Sequence, residues 1–366
     1  MTANLLTPLE IGPLTIPRRI IVAPMCQYSA QDGDANDWHR VHMGAMALSG
    51  AGLFTIEATA PEARGRITHG CLGLYSDANE AALAACIAST RAVSDTPLSI
   101  QIGHAGRKAS TQRPWEGRGP LQAHEAPWQT LSPSGIPFSD KGPETREMTS
   151  EDMTQVKEAH VQAAQRALRL GLDAVEIHMA HGYLLSSFLS PLSNKRSDGH
   201  GGSLAARLRY PLEIVEAVRG IWPSDRALTV KFNGTDWAKG GLVPQDAVTI
   251  AGALADAGVD MVTLSGGGIL QSAPPVAPGY QVEAAHLIKQ AGIPLKVAAV
   301  GMIYDAHFAQ SLITEGKADA VSIARAFLHN PRWGYHAAET LGAPLPYPPQ
   351  YERGGPVNWP PANLQS

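Results

Sequence analysis

Cysteine is scarce in this chain, and its scarcity excludes several kinds of protein. Only Cys26, Cys71 and Cys86 occur among 366 residues. No C-x-x-C pair is present, and an odd, sparse set builds no disulfide framework, so a reducing, cytoplasmic setting is expected. The absence of any cysteine after Cys86 leaves no late cluster for an iron–sulfur centre. A surplus of one charge is also missing. The chain has 29 basic and 33 acidic side chains, net −4, which argues against a nucleic-acid surface or a basic membrane-facing patch. No apolar run approaches the ~20 residues of a bilayer span. Residues 1–10 lack a basic stretch followed by an apolar one, so neither insertion nor export is expected. No G-x-G-x-x-G follows an apolar run, which removes a Rossmann-type dinucleotide site.

What the chain does have is 44% hydrophobic residues, arranged as short apolar runs alternating with longer helical patterns. The runs at 19–23, 53–58, 97–102, 174–178, 227–232, 261–264, 295–300 and 320–323 read as strands. Their continuous apolar character suits a parallel sheet buried on both faces. Helical spacing covers 36–49, 78–93, 150–170, 203–220, 244–257, 281–291, 305–315 and 331–341. Ser150 reads as the cap of the third helix, with Glu151 and Asp152 in its first turn and Gly171 as its stop. Pro211 should kink or divide the fourth. Eight such units predict an α/β fold of the (β/α)₈ barrel type, which reaches this length as one domain, residues 1–343. Two segments lie outside the alternation. Residues 113–146 carry prolines at 114, 120, 127, 133, 137 and 143 and read as a lid or small hairpin over the barrel mouth. Residues 344–366 read as a C-terminal arm that docks on a neighbour or frays.

Catalytic groups of such barrels sit at the C-terminal ends of the strands. There the sequence places Pro24, Met25, Cys26 and Tyr28 after the first strand, Glu57 and Ala58 on the second, and Gln101, His104 and Lys108 after the third. His178, His181 and Tyr183 follow the fourth, Lys231 lies on the fifth, Ser265 and Gly266 end the sixth, Gly301 and Met302 follow the seventh, and Ala324 and Arg325 the eighth. Gly301 lets amides approach a phosphate and Arg325 can grip one in a fork, where this fold usually binds phosphate. Read blandly, Gly301 is a tight turn and Arg325 a surface ion pair. His178 and His181 suit a pair of donors to a ligand oxygen; without accompanying cysteine or acidic ligands, a metal site is not expected. His39 and His42, early in a helix, read as structural. Cys26 is either a small buried hydrophobe or, given a base, a nucleophile. Met25 and Met302 fit core and cofactor packing equally.

Taken together, Ala23-Pro24-Met25-Cys26-Gln27-Tyr28, Glu57-Ala58-Thr59-Ala60, Gln101-x-x-His104-Ala105-Gly106-Arg107-Lys108, His178-x-x-His181-Gly182-Tyr183-Leu184 and Phe188-Leu189-Ser190-Pro191 resemble the Old Yellow Enzyme family in order and spacing. Pro278-Gly279-Tyr280-Gln281 and Gln350-Tyr351-Glu352-Arg353-Gly354 resemble its thermophilic-like subgroup, which includes xenobiotic reductases. The resemblance implies FMN over the barrel mouth, NADPH or NADH as reductant, and activated alkenes as substrates. It implies a flavin site of Pro24, Met25, Cys26, Ala58, Gln101, Lys231, Ser265, Gly266, Gly301, Met302, Ala324 and Arg325. Tyr28, Lys108, His178, His181, Tyr183 and Arg353 would line the substrate pocket, with Tyr183 as proton donor, the histidines polarising the substrate oxygen and Cys26 tuning the flavin. Arg353 would reach a neighbouring subunit, implying a homodimer or homotetramer. One departure is Lys231, where the family usually has arginine; the charge is kept and the planar fork is lost. The rival readings are a barrel lyase or aldolase with Lys108 or Lys231 as Schiff base, and a flavin-binding redox sensor.

Overall fold

The computed structural model describes residues 3–271 and 273–359; positions 360–366 of the C-terminal arm lie outside the described residues. Eight strands close into one parallel barrel: β1 (Ile20–Val22), β2 (Leu53–Thr59), β3 (Leu98–Ile102), β4 (Ala174–Met179), β5 (Ala227–Thr235), β6 (Met261–Gly266), β7 (Lys296–Ala299) and β8 (Ala320–Ile323). β8 pairs with β1, so the sheet has no edge. Around it lie α1 (Asp37–Ala47), α2 (Asp77–Arg91), α3 (Ser150–Arg169), α4 (Leu184–Leu189), α5 (Leu204–Ile221), α6 (Asp246–Asp256), α7 (Val282–Gln290), α8 (Ala306–Thr314), α9 (Arg325–His329) and α10 (Trp333–Thr340). The predicted (β/α)₈ architecture is therefore correct, and each predicted strand is present. Among the described residues no helix is long and apolar enough to cross a membrane.

The strands differ from the expected continuous apolar runs. Residues facing the helices are apolar throughout, as in Val175, Ile177 and Met179 of β4 or Leu228, Val230 and Phe232 of β5. The intervening positions, which point into the barrel (side chains alternate faces along a strand), change along the axis. At the N-terminal end they are Ile21, Leu53, Ala174, Ala227, Met261 and Ala320, packed with Leu9, Ile11 and Ile16. Higher up they are Thr55 and Glu57, Ser99 and Gln101, Glu176 and His178, Thr229 and Lys231, Thr263 and Ser265, all buried. The barrel is thus apolar at its base and polar towards its mouth.

The base is closed by an antiparallel hairpin, Leu9–Ile11 with Leu14–Ile16, too short for a period-2 pattern to reveal it. Its turn needs Gly12: φ is +53° and a Cβ there would lie 2.2 Å from Asp260 Oδ1. Asp260 in turn accepts the Leu228 amide at 2.8 Å, tying the plug to β5.

Three local expectations need correction. The cap of α3 is Thr149, not Ser150; its side chain accepts the Asp152 amide at 3.1 Å, while Asp152 accepts the Thr149 amide at 2.8 Å and Arg146 through two bonds. Pro211 does not divide α5, because the loss of one backbone donor is offset by burial of Leu208, Ile214, Val215 and Val218. Within 113–146 the pairing of Thr130–Ser132 with Thr145–Glu147 is parallel, so it is not a hairpin.

Because Ile11 is fully buried in the plug, Ile11→Ala should lower the unfolding free energy by about 2–5 kcal/mol without changing bound flavin per chain. Urea unfolding and the visible spectrum check both; a loss below about 1 kcal/mol would show that the plug does not seal the base.

Candidate active site

The polar layer near the barrel mouth is built from interlocked partners. Gln101 Nε2 donates to Glu176 Oε1 at 2.7 Å and Thr263 Oγ1 to Glu176 Oε2 at 3.1 Å. Burial raises the Glu176 carboxyl, and the nearby Lys231 ammonium opposes that shift. Burial likewise lowers Lys231, and Glu176 opposes it. Each charge opposes the loss of the other, as largely buried charges require.

His178 stands one residue pair away from this layer, level with Lys231 in the register of β4 and β5. Its ring meets His181 edge-on at 5.1 Å and Tyr183 at 5.2 Å. His178 Nδ1 accepts the Ala180 amide at 3.4 Å, and His181 Nε2 is bonded to Ser265 Oγ at 2.7 Å. Burial, with Lys231 and Lys108 adding repulsion, lowers His178 to about 3. His181 is held well below its usual value by burial first, then by His178 and the two lysines. Both imidazoles are therefore neutral near pH 7. Burial holds the Tyr183 hydroxyl well above the normal phenol range, so it keeps its proton.

The turn after β4 fixes these rings. His181 and Gly182 both adopt left-handed backbone, at φ 62° and 72°. For histidine that conformation is uncommon and is held by its neighbours. The His181 amide donates to Asn233 Oδ1 at 3.0 Å, and its carbonyl accepts Lys108 Nζ at 2.8 Å. Lys108 also donates to the Gly268 carbonyl at 3.2 Å, joining the turns after β4 and β6. Those turns touch: a Cβ on Gly182 would lie 2.1 Å from the Gly268 oxygen. Lys108 is thus a clamp between two turns, with two of its three hydrogens committed to backbone, which counts against a Schiff-base role.

A cleft of about 650 Å³ opens beside this centre, lined by Pro24, His181, Lys231, Ser265, Gly301, Met302, Ala324 and Arg325. Among the described residues neither Lys231 nor Arg325 has an ion-pair partner, which removes the surface ion-pair reading of Arg325. Gly301 has φ +113°, and its carbonyl accepts the Gly279 amide at 2.7 Å. Ala58, His178 and Tyr183 share a small adjoining crevice. Of the remaining predicted residues, Gln101 turns its amide to Glu176, Gly266 approaches Gln281 and Thr235, and the Met25 carbonyl accepts the Gln27 side chain at 2.8 Å. The Cys26 thiol is raised well above its ordinary value, burial leading, so it is not the thiolate a nucleophile needs. Tyr28 lines a second cleft together with residues of the 113–146 segment. Arg353 is exposed on the turn Pro349–Gly354 and lines neither large cleft of its own chain.

Glu176, Asn233 and Thr263 escape the sequence reading, although the alternation Ala174-Glu176-His178 against Val175-Ile177-Met179 is there to find. His39 belongs to this support as well. It completes the N-terminal capping box of α1 with Asn36, and its Nε2 lies 3.5 Å from Glu57 Oε1. Glu57 also accepts the Gln27 amide at 2.9 Å, anchoring the loop that carries Cys26 and Tyr28. Burial raises Glu57 to about 8 and lowers His39 to about 4, so this is a neutral contact and not an ion pair.

A closed (β/α)₈ barrel with a cationic cleft at its mouth beside a neutral imidazole pair has the form of an enzyme site that takes an anionic cofactor or substrate. The profile of the NADH:flavin oxidoreductase / NADH oxidase family matches residues 4–343. The chain is 37% identical over 357 residues to an NADPH dehydrogenase of Geobacillus thermodenitrificans, covering 97% of this chain and 99% of that one. It is 35% identical to an NADPH dehydrogenase of Bacillus subtilis, covering 97% and 100%. Morphinone reductase superposes with a TM-score of 0.78 at 26% identity, covering 95% of this chain and 92% of that one. The chain belongs to the NADH:flavin oxidoreductase family, the Old Yellow Enzymes. It is an NAD(P)H-dependent FMN oxidoreductase. The cleft fits that cofactor: it offers a buried cation with no carboxylate at ion-pair distance among the described residues, a guanidinium likewise without one, and a glycine turn, a donor set suited to a ring with an electron-rich edge and a phosphate tail.

Glu57 supplies a pH test. Its folded pKa, about 8, lies above the unfolded value near 4.5, so the unfolded chain holds fewer protons between those limits and stability falls as pH rises through them. Glu57→Gln should therefore narrow the gap between the unfolding free energies at pH 5 and pH 8. An unchanged gap in urea titrations would show that Glu57 is ionised in the fold.

Proposed function

We propose that the protein is an ene-reductase, acting on α,β-unsaturated carbonyl or nitro compounds. The observation that carries this reading is the pair of neutral imidazoles facing a protonated Tyr183 beside the flavin cleft. Lys231, Gly301 and Arg325 would hold FMN in the cleft, where it would supply the hydride chemistry that links NAD(P)H to the β-carbon of the acceptor. His178 and His181 donate hydrogen bonds to the acceptor's oxygen, where negative charge develops as hydride arrives. Neutral donors suit this task, because they stabilise the developing charge without giving up a proton. Tyr183 delivers the proton to the α-carbon as general acid and recovers one from solvent. The balance is one hydride and one proton added across the alkene, with NAD(P)H converted to NAD(P)⁺.

Around this chemistry, Lys231 places positive charge beside the cofactor, Arg325 and Gly301 hold its phosphate, and Tyr28 contacts substrate. Residues 113–146 act as a lid. The arm from 344 belongs to a cytoplasmic homo-oligomer in which Arg353 serves a neighbour's site, which explains why it is exposed and remote from its own. A monomer in sedimentation at micromolar concentration would remove that assignment.

In anaerobic stopped flow, Tyr183→Phe should slow reoxidation by cyclohexenone about 100-fold or more and leave reduction by NADPH unchanged. His178→Ala should weaken binding of a phenolate, which mimics the charged oxygen, by roughly 10- to 100-fold. Equal slowing of both half-reactions in the first variant contradicts the proton-donor role of Tyr183. Normal phenolate binding in the second contradicts the oxygen-binding role of His178.

A further inference from the structure

A second cleft, about 600 Å³, lies between the lid and the barrel mouth, and Tyr28 and Tyr183 connect it to the histidine centre. Four cations line it: Arg107, Lys108, Arg118 and Lys141. Among the described residues that line it there is no carboxylate. In a chain of net charge −4, this concentration of positive charge is not a reflection of composition.

The lid does carry acids, but they are turned elsewhere. Glu116 pairs with Arg113 at 3.1 Å and lies 3.5 Å from His69, and Glu125 accepts the Gln122 amide at 2.7 Å and the Gln112 side chain. Asp140 and Glu144 flank Lys141 in sequence without lining the cleft. Arg118 and Lys141 are exposed, and among the described residues they have neither hydrogen-bond nor ion-pair partner. Arg107 and Lys108 form the deeper wall. Arg107 donates to the Ile269 carbonyl at 2.5 Å, its Nε is buried without an acceptor, and both cations lie against the Phe138 ring. Burial, then mutual repulsion, pulls Lys108 down to about 8, and burial pulls Arg107 to about 10. The Asp236 carboxylate opposes the shift of Arg107 without forming an ion pair with it, and among the described residues Lys108 has no carboxylate beside it. Buried like charges so held are costly, and an arriving anion would relieve that cost.

We propose that the lid cleft is an anion subsite, which receives a phosphate or carboxylate on the ligand whose reacting end lies against His178, His181 and Tyr183. Arg118 and Lys141 make the contacts, and Arg107 and Lys108 supply the field. The inference rests on the proposed function for what lies at the histidines and extends it to the rest of the ligand. The anion has two possible sources, the phosphoryl groups of the nicotinamide dinucleotide or a carboxylate on the acceptor.

The test compares the parent holoenzyme with the double variant Arg118→Gln/Lys141→Gln in anaerobic stopped flow. The reductants are NADPH and the uncharged 1-benzyl-1,4-dihydronicotinamide; the acceptors are cyclohexenone and 3-benzoylacrylate, which carries a carboxylate. In the variant, the half-saturating concentration should rise about tenfold for at least one anionic ligand, as expected for loss of charge-assisted contacts. Limiting rates, and half-saturation by the two neutral ligands, should stay unchanged. A shift confined to NADPH assigns the subsite to the reductant, and one confined to benzoylacrylate assigns it to the acceptor. No shift for either anion, or equal shifts for neutral and anionic ligands, overturns the proposal. Should neither reductant bleach the parent's flavin, the functional reading fails separately. The subsite is then read by calorimetry with inorganic pyrophosphate, which must bind the parent more tightly than the variant; equal or absent binding overturns the subsite.

Discussion

The mutual stabilisation of Lys231 and Glu176 inside the barrel is the constraint on which the rest of the site depends. Both are buried, at 6% and 4% of their full exposure. An ammonium or carboxylate taken out of water alone would neutralise, or the fold would not tolerate it. Here each opposes the shift that burial imposes on the other, and the Glu176 oxygens accept from Gln101 and Thr263. Glu176 thereby favours a positive charge on Lys231 at the wall of the cleft, with no carboxylate within ion-pair distance of it among the described residues. The Glu176 network holds the Gln101 amide in the same layer.

Burial, reinforced by that cation, governs the histidines. An imidazole beside a buried ammonium resists a second positive charge, and burial acts in the same direction. The pair is therefore neutral by construction, the state that the proposed role as donors to a developing oxyanion calls for. Position is enforced separately, by Asn233, Ser265 and Lys108 gripping a left-handed turn that only glycine at 182 and 268 allows to touch its neighbour. Electrostatics sets the protonation state and backbone geometry sets the direction. At the base of the barrel, the hairpin plug provides the apolar burial that the polar mouth does not.

Much of this is legible in the sequence, for identifiable reasons. Strand ends can be found because the fold rule places function there, so His178, Lys231, Gly301 and Arg325 stand out by position alone. Glu176 is hidden when Ala174–His178 is taken as one apolar run, because its inward positions alternate with its outward ones. Lys108 reads as a substrate contact through the family resemblance; its grip on the carbonyls of His181 and Gly268 depends on two turns meeting that are far apart in sequence. The parallel pairing in the lid and the three-residue strands of the plug have no periodic signature at that length. The charge balance of the lid cleft also appears only after folding, because its acids and bases alternate along the chain and separate in space.

The most direct test is a titration of His178 and His181 by nitrogen-15 NMR of labelled imidazoles in the oxidised holoenzyme, from pH 5 to pH 9, about the usual histidine value of 6.5. Neither ring should titrate, and each should show one protonated and one bare nitrogen throughout. An imidazolium signal from either ring that grows in as pH falls through about 6.5 would mean that Lys231 and burial do not hold the pair neutral.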